Sequence, residues 1–394
     1  MTKPREPSGK YVPLPGGGRA FVPDPLPPAL RWSPELATAV AEASLLLGRL
    51  SGQGSELQNP HLLIRPFVRR EAVLSSRIEG TQATLGELLA DEAGAAVARA
   101  PDDLKEVRNY VVALEKGVAR LKDLPLSLRL VRELHRTLMK GVRGDRAAPG
   151  EFRRIQNWIG PPGATATDAR FVPPPPSELA ACLDAWERNL HERGLPPLLH
   201  VALLHYQFEA IHPFIDGNGR VGRLLITLFL IERGILPSPL LYLSAFFEAS
   251  RRDYYDLLAG VSHRGEWEPW VLYFLRAIAH QAKDALRRVE RIKGLREAWR
   301  RRLASRQTKT VMALVDRVTA NPFVTINGAA NDLGIAFTTA QRAIEALVAH
   351  RILRQTDDAR RGRVYMAKSL LDILDEPADI LQAEAVHRGR RKRR

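Results

Sequence analysis

His212-Pro213-Phe214-Ile215-Asp216-Gly217-Asn218-Gly219-Arg220-Val221-Gly222-Arg223 is the stretch on which the fold turns. It joins two helical patterns of different kinds. Upstream, residues 197–211 read PLLHVALLHYQFEAI, apolar around most of the circumference, which predicts a helix buried on nearly all sides. Pro213 disfavours the α region for His212, so this helix should end there with the imidazole at its C-terminal mouth. Downstream, Val221, Leu224, Leu225, Leu228 and Phe229 recur at helical spacing, predicting an amphipathic helix that ends near Gly234. Gly217, Asn218 and Gly219 then lie at its N-terminus, where unpaired N–H groups and the helix dipole attract anions. Arg220 and Arg223 share one face of the first turn. A base, a carboxylate, a backbone anion cradle and two guanidiniums suffice to move a phosphate-bearing group onto a hydroxyl. Taken singly they read as a helix-end histidine, loop glycines and surface arginines; their conjunction points to chemistry.

The run resembles the signature of the Fic family, His-x-Phe-x-(Asp/Glu)-Gly-Asn-Gly-Arg-x-x-Arg, and matches it at every fixed position. The resemblance extends roughly from Tyr11 to Phe274 and implies a mainly α fold: a Fic-type helical core with a small β-hairpin flap. It also implies a protein adenylyltransferase, a nucleotidyltransferase that moves AMP from ATP to a Ser, Thr or Tyr hydroxyl of a target protein and releases pyrophosphate. Carried over, His212 is the general base, a task suited to a pKa near neutrality. Asp216 holds the Mg²⁺ that bridges ATP phosphates. Gly217, Asn218 and Gly219 cradle the phosphates, and Arg220 and Arg223 neutralise charge on the pyrophosphate side.

A second run, Ser75-Ser76-Arg77-Ile78-Glu79-Gly80, closes a helical pattern that should stop with Gly80 as its C′ residue. Thr84 and Glu87 read as a capping box opening the next helix. Ser75 and Glu79 are i, i+4 neighbours, by themselves ordinary surface dressing. Beside a Fic core the run resembles the family's inhibitory motif, (Ser/Thr)-x-x-x-Glu-(Gly/Asn). The resemblance implies that Glu79 pairs with Arg223 and excludes the γ-phosphate, since one guanidinium fork cannot serve both anions.

Residues 152–172 carry two strand-like runs around a Pro/Gly turn and predict a hairpin. In the family this flap pairs with the target's backbone. Phe246 and Tyr255 stand where the resemblance implies adenine contacts, although aromatics there also suit a core. His200, His205 and His212 lack the spacing and company of a zinc site.

With 394 residues, 45% of them hydrophobic, the chain should form more than one domain. Its single cysteine, Cys182, rules out an intramolecular disulfide and favours a cytoplasmic setting. No apolar run reaches transmembrane length, so no membrane association is expected, and a homodimer is compatible with the pattern. The net charge of +15 is uneven: residues 287–309 hold ten Lys/Arg against two acids, and residues 388–394 hold six more. Between these segments, 324–335 and 338–347 read as helix, glycine turn, helix, and 352–366 as a two-stranded wing. This resembles a winged helix-turn-helix, with Thr338 capping a recognition helix whose Thr339, Gln341 and Arg342 would reach DNA bases. The same module also serves partner contacts. The expected units are an N-terminal regulatory region (1–105), a catalytic core (106–275), a basic connecting helix (276–305), the winged module (306–375) and a basic tail (376–394). The N-terminal GGG and PLPP stretches read as extended wrapping. An alternative reading is a DNA-binding transcriptional regulator whose core senses nucleotide or acts as a toxin-like module. The intact His212 and Asp216 favour the enzyme.

Overall fold

The computed structural model describes residues 6–55, 61–95, 97, 101–142, 148–161, 163–304, 308–357, 359 and 362–377. Near its start β1 (Gly9–Pro13) and β2 (Arg19–Pro23) pair antiparallel, with Tyr11 opposite Phe21. This corrects the expectation of extended wrapping for the GGG stretch; the PLPP stretch at 25–28 forms neither strand nor helix. Gly16, Gly17 and Gly18 adopt φ of 93°, 101° and 82° in series, which folds the chain back and which side chains would resist.

Among the described residues, helices follow in order: α1 (Pro34–Ser55), α2 (His61–Ile78), α3 (Leu85–Glu92), α4 (Pro101–Arg120), α5 (Leu128–Leu138), α6 (Pro176–Leu190), α7 (Pro197–Ile211), α8 (Asn218–Glu232), α9 (Ser244–Ala249), α10 (Arg251–Arg264) and α11 (Trp267–Arg302). Helix α7 is the axis. Thirteen of its fifteen residues are buried, as its all-round apolar sequence requires, and α6, α8 and α11 pack on it. Helix α2 ends in a Schellman motif: Gly80 N donates to Arg77 O (3.0 Å) and Thr81 N to Ser76 O (3.1 Å). Thr84 and Glu87 then form the reciprocal capping box that opens α3.

The expected boundary between core and connecting helix at 275–276 falls inside α11, one helix of 36 residues. Val271, Phe274, Ile278, Ala282, Ala285, Val289 and Ile292 continue a single buried face through the boundary, largely against α1. Most basic side chains ride the other face, but Arg288 is fully buried and bonds Asp284 (2.7 Å).

The C-terminal elements run α12 (Lys309–Ala320), β3 (Phe323–Thr325), α13 (Ile326–Leu333), α14 (Phe337–Ala349), β4 (Arg354–Gln355), β5 (Val364–Met366) and α15 (Lys368–Asp375), with an antiparallel sheet in the order β3-β5-β4. Val324 and Thr325, expected in a helix, belong to β3, and the Thr325 side chain caps α13. Helices α13 and α14 meet at Gly334 in the left-handed region (φ 62°). This part is docked rather than tethered. Asn321 Nδ2 donates to Leu89 O (2.9 Å) and Thr325 Oγ1 to Ala93 O (3.2 Å), and one hydrophobic cluster runs from Val22 to Leu374. The basic run at 388–394 lies outside the described residues. Among the described residues, Cys182 is a buried free thiol and no helix is long and apolar enough to cross a membrane.

Candidate active site at the α7–α8 junction

Helix α7 stops where Pro213 stops it. His212 caps it in the left-handed region (φ 49°, ψ 61°), a conformation that costs a non-glycine residue energy and needs outside support. Arg153, itself buried, supplies that support: its Nε donates to His212 O (2.9 Å), its Nη2 to Pro174 O (2.6 Å), and its N–H to Pro213 O (2.9 Å). The His212 ring faces Glu209 O through Nδ1 (3.4 Å). A carbonyl only accepts, so this contact favours the proton on Nδ1 and leaves the Nε2 lone pair free. Burial pushes the imidazole down to about 4, which keeps it in its basic form at neutral pH.

The turn from 214 to 217 is fastened from both sides. Asn218 Oδ1 accepts from Phe214 N (2.8 Å) while its Nδ2 donates to Phe214 O (2.9 Å). From α5, His135 accepts Gly150 N–H on Nδ1 (2.8 Å), so its Nε2 donates to Asp216 O (3.0 Å). The ring stacks on Phe214 at 3.7 Å, and burial drives its pKa down to about 4. The Asp216 carboxylate stays half exposed; Oδ1 accepts from Gly217 N (2.6 Å) and lies 3.6 Å from Arg220 Nη2.

Both motif arginines are buried, where surface arginines would be solvated. Arg220 Nη1 meets Glu106 Oε2 of α4 at 3.3 Å, and the same oxygen accepts from Thr81 Oγ1 (2.9 Å). Arg223 donates from Nε to Ser75 Oγ (2.8 Å) and from Nη2 to Ser75 O (2.9 Å) and Glu79 Oε1 (2.7 Å). Partial burial raises the Glu79 carboxyl, but Arg223 outweighs it, with Arg220 and His212 adding to the lowering, and holds it below the usual range. A Cβ at Gly219 would stand 2.3 Å from Glu79 Oε1. The Glu79 carboxylate therefore rests on the glycine face at the start of α8, where an anion would approach the backbone. Among the sequence-predicted residues, His212, Asp216, Gly217, Asn218, Gly219, Arg220, Arg223, Ser75 and Glu79 come together here.

Other expected residues stand elsewhere or differently. Phe246 is buried against Tyr273 and His280, with centroids at 5.3 and 5.6 Å, a core position without a ring contact to the motif. Tyr255 lies under the guanidiniums of Arg170 and Arg251 (5.8 and 6.0 Å from its centroid). Burial first, then Glu79, raises its phenol, so it borders the site. The hairpin expected over 152–172 reduces to one antiparallel pair among the described residues, Ile159 and Phe171. Pro161 and the run Pro173–Pro176 lack the N–H groups that would extend it. Thr338 is no cap: α14 begins at Phe337 behind Ala336, without a side-chain capping bond. Thr339 and Arg342 are exposed on α14, whereas Gln341 is half-buried and donates to Glu345 Oε1 (2.8 Å). Sequence reasoning missed Arg153, His135 and Glu106. Each acts from another element, and no local spacing marks it.

For a metal, the described residues contain no group of three or more His, Cys, Asp or Glu. The site offers one half-exposed carboxylate, Asp216, which suits Mg²⁺ brought in on phosphate oxygens.

Residues 37–119 match the family model described as Fic/DOC family N-terminal, and residues 125–230 match that of the Fic/DOC family. The chain is 31% identical over 202 residues to the protein adenylyltransferase Fic of Drosophila yakuba, an alignment covering 50% of this chain and 37% of that protein. For the Drosophila virilis protein the figures are 31%, 50% and 38%. The chain thus spans well under half the length of these curated relatives. Among solved structures, a Fic family protein from Desulfovibrio desulfuricans G20 superposes with a TM-score of 0.57 at 22% identity, covering 87% of this chain and 98% of that one. A glutamate-to-glycine variant of Fic-1 from C. elegans gives 0.50 at 23%, covering 64% and 73%. At these identities the two structures establish the fold.

Proposed function

Because the chain belongs to the Fic/DOC family, we propose that it is a protein adenylyltransferase that Glu79 holds in check. In the reaction, His212 Nε2 removes the proton of a Ser, Thr or Tyr hydroxyl on the target. The hydroxyl oxygen attacks the α-phosphorus of ATP, the bond from that phosphorus to the oxygen bridging to the β-phosphate breaks, and pyrophosphate leaves. Amides at Gly217–Gly219 and the forks of Arg220 and Arg223 receive the charge that accumulates on the phosphates. Asp216 would hold a Mg²⁺, which would supply positive charge to neutralise the phosphates further. Tyr255, bordering the site, is retained as a candidate adenine contact; Phe246, in the core, is not. The exposed side chains of Ile155, Trp158 and Ile215 flank the motif turn and suit the approach of a target segment along the 152–172 flap.

The observation that carries this reading is the 2.7 Å contact between Glu79 and Arg223, made over the Gly219 backbone. The carboxylate takes the guanidinium and the surface that the terminal phosphate of ATP needs. Incubation with α-labelled ATP, Mg²⁺ and a cell lysate tests it. Glu79→Gly protein should label itself and at least one target, and adding His212→Ala should abolish the label. Absence of labelling by Glu79→Gly would refute the assignment.

The order α12-β3-α13-α14-β4-β5 supports a second, accessory reading as a winged helix-turn-helix. Thr339 and Arg342 on the open face of α14 would meet DNA bases, with Gln341 less available because of Glu345.

A further inference from the structure

Arg223 is held from two sides, and Glu79 accounts for only one. On the other side, Ser75 accepts from Nε and, through its carbonyl, from Nη2. Behind Ser75 stands Tyr110 of α4, 1% exposed, beside the Ser75 side chain and donating to Glu71 Oε1 (3.2 Å). Glu71, buried on α2, also accepts from Ser244 Oγ (2.5 Å) and Ser244 N (3.3 Å) at the start of α9. The polarity of this chain is fixed by its ends. Arg223 can only donate, so Ser75 Oγ accepts and turns its own hydrogen to Tyr110. Burial raises the Glu71 carboxyl to about 7; in its ionised form it only accepts, and Tyr110 then passes its hydrogen to Oε1. Four elements thus form a buried, one-directional network ending on the guanidinium, and none of its bonds involves Glu79.

We propose that Tyr110 and Glu71 are positioning residues that keep Arg223 aimed at the γ-phosphate after Glu79 has left, so that the site prefers a nucleoside triphosphate to a diphosphate. The inference rests on the adenylyltransferase reading. It concerns what remains when the inhibitory contact is gone. A long arginine side chain released from Glu79 would otherwise regain rotamers that point away from the ligand. Buried networks in which every member is satisfied are the means by which such a side chain is kept in one geometry.

Calorimetric titration of the full-length Glu79→Gly protein with ATP and with ADP, both with Mg²⁺, provides the test. Adding Tyr110→Phe should weaken ATP binding by about tenfold, the loss of roughly one buried hydrogen bond. ADP affinity should stay within about twofold, because only the γ-phosphate meets Arg223. A purely structural role would weaken both nucleotides by the same factor or neither, and either result would overturn the inference. If Tyr110→Phe fails to fold, Glu71→Gln keeps the volume but puts an amide nitrogen, which cannot accept, at one oxygen. The same ATP-specific loss is expected, and its absence counts equally against the network. Should Glu79→Gly itself show no preference for ATP over ADP, the γ-phosphate reading falls and the inference with it. That failure is recognisable before Tyr110 is touched.

Discussion

The proposed phosphate cradle at the start of α8 and the outer face of α14 use the same residue types to opposite effect. At the cradle, Arg220 and Arg223 are buried, and each is bonded to groups from at least one other helix. On α14, Thr339 and Arg342 face solvent among the described residues. An arginine buried with its partners is committed to one geometry, and removing a partner leaves an uncompensated charge. An exposed arginine keeps its rotamers and screening water, and its value depends on what arrives. Substitutions at the cradle should therefore be large and non-additive, whereas those on α14 should be small, additive and salt-sensitive.

The largest expected effect is at the base. In the Glu79→Gly background, His212→Ala should lower label transfer by roughly 10²–10⁴-fold, the range of general base catalysis, with ATP affinity nearly unchanged. Near wild-type transfer would show that the imidazole is not the base. The same group fixes the pH profile. Its pKa is depressed to about 4, so the basic form persists as pH falls, and kcat/KM of Glu79→Gly should stay level from pH 8 to 6 and fall only on approach to about 4. A fall centred at the ordinary histidine value, about 6.5, would mean that the ring is hydrated and its burial irrelevant.

Next in size is Glu106→Gln. Breaking a buried pair by removing one partner costs about 3–5 kcal/mol. With side-chain exposures of 4% and 9%, the Arg220–Glu106 contact belongs to that class. Denaturant unfolding should report the loss, and an effect under about 1 kcal/mol would place this pair with surface bridges. On α14 the scale is smaller. If the winged module binds duplex DNA, Arg342→Ala in the full-length protein should cost about 1–3 kcal/mol at a preferred site and relax sequence preference. Affinity should fall steeply with salt. Equal affinity for all sequences before and after the change would leave α14 as a partner surface.

The fold was legible in sequence wherever the deciding physics is local. The stop at His212 follows from Pro213, the capping box from Thr84 and Glu87, and the end of α2 from Gly80. The same holds for the cradle, whose parts lie within twelve residues. What was not legible comes from other elements. Glu106 and Tyr110 sit one turn apart on α4 and reach the two arginines only through the packing of α4 against α2 and α8. His135 and Arg153 hold carbonyls of the motif turn, and a side chain that binds a backbone carbonyl leaves no partner residue type to look for. The boundary placed at 275–276 followed the end of the family resemblance near Phe274, while the buried stripe through Ile278 and Val289 continued the helix. The N-terminal glycines were visible, but only the β1–β2 register reveals that they are a hairpin turn.

The account stands on Glu79 occupying the seat of the γ-phosphate on Arg223. The most direct measurement compares initial rates of AMP transfer by wild type and Glu79→Gly at saturating ATP and Mg²⁺. An arginine–carboxylate contact in a partly closed site is worth a few kcal/mol when broken, and ~1.4 kcal/mol is tenfold in rate. The expected gain is roughly a hundredfold, and Arg223→Ala, which removes anchor and clamp together, should not reproduce it. Glu79→Gly combined with Arg223→Ala should behave as Arg223→Ala alone. Equal rates for wild type and Glu79→Gly would contradict the account and leave Glu79 as a helix-end carboxylate that pairs with an arginine and controls nothing.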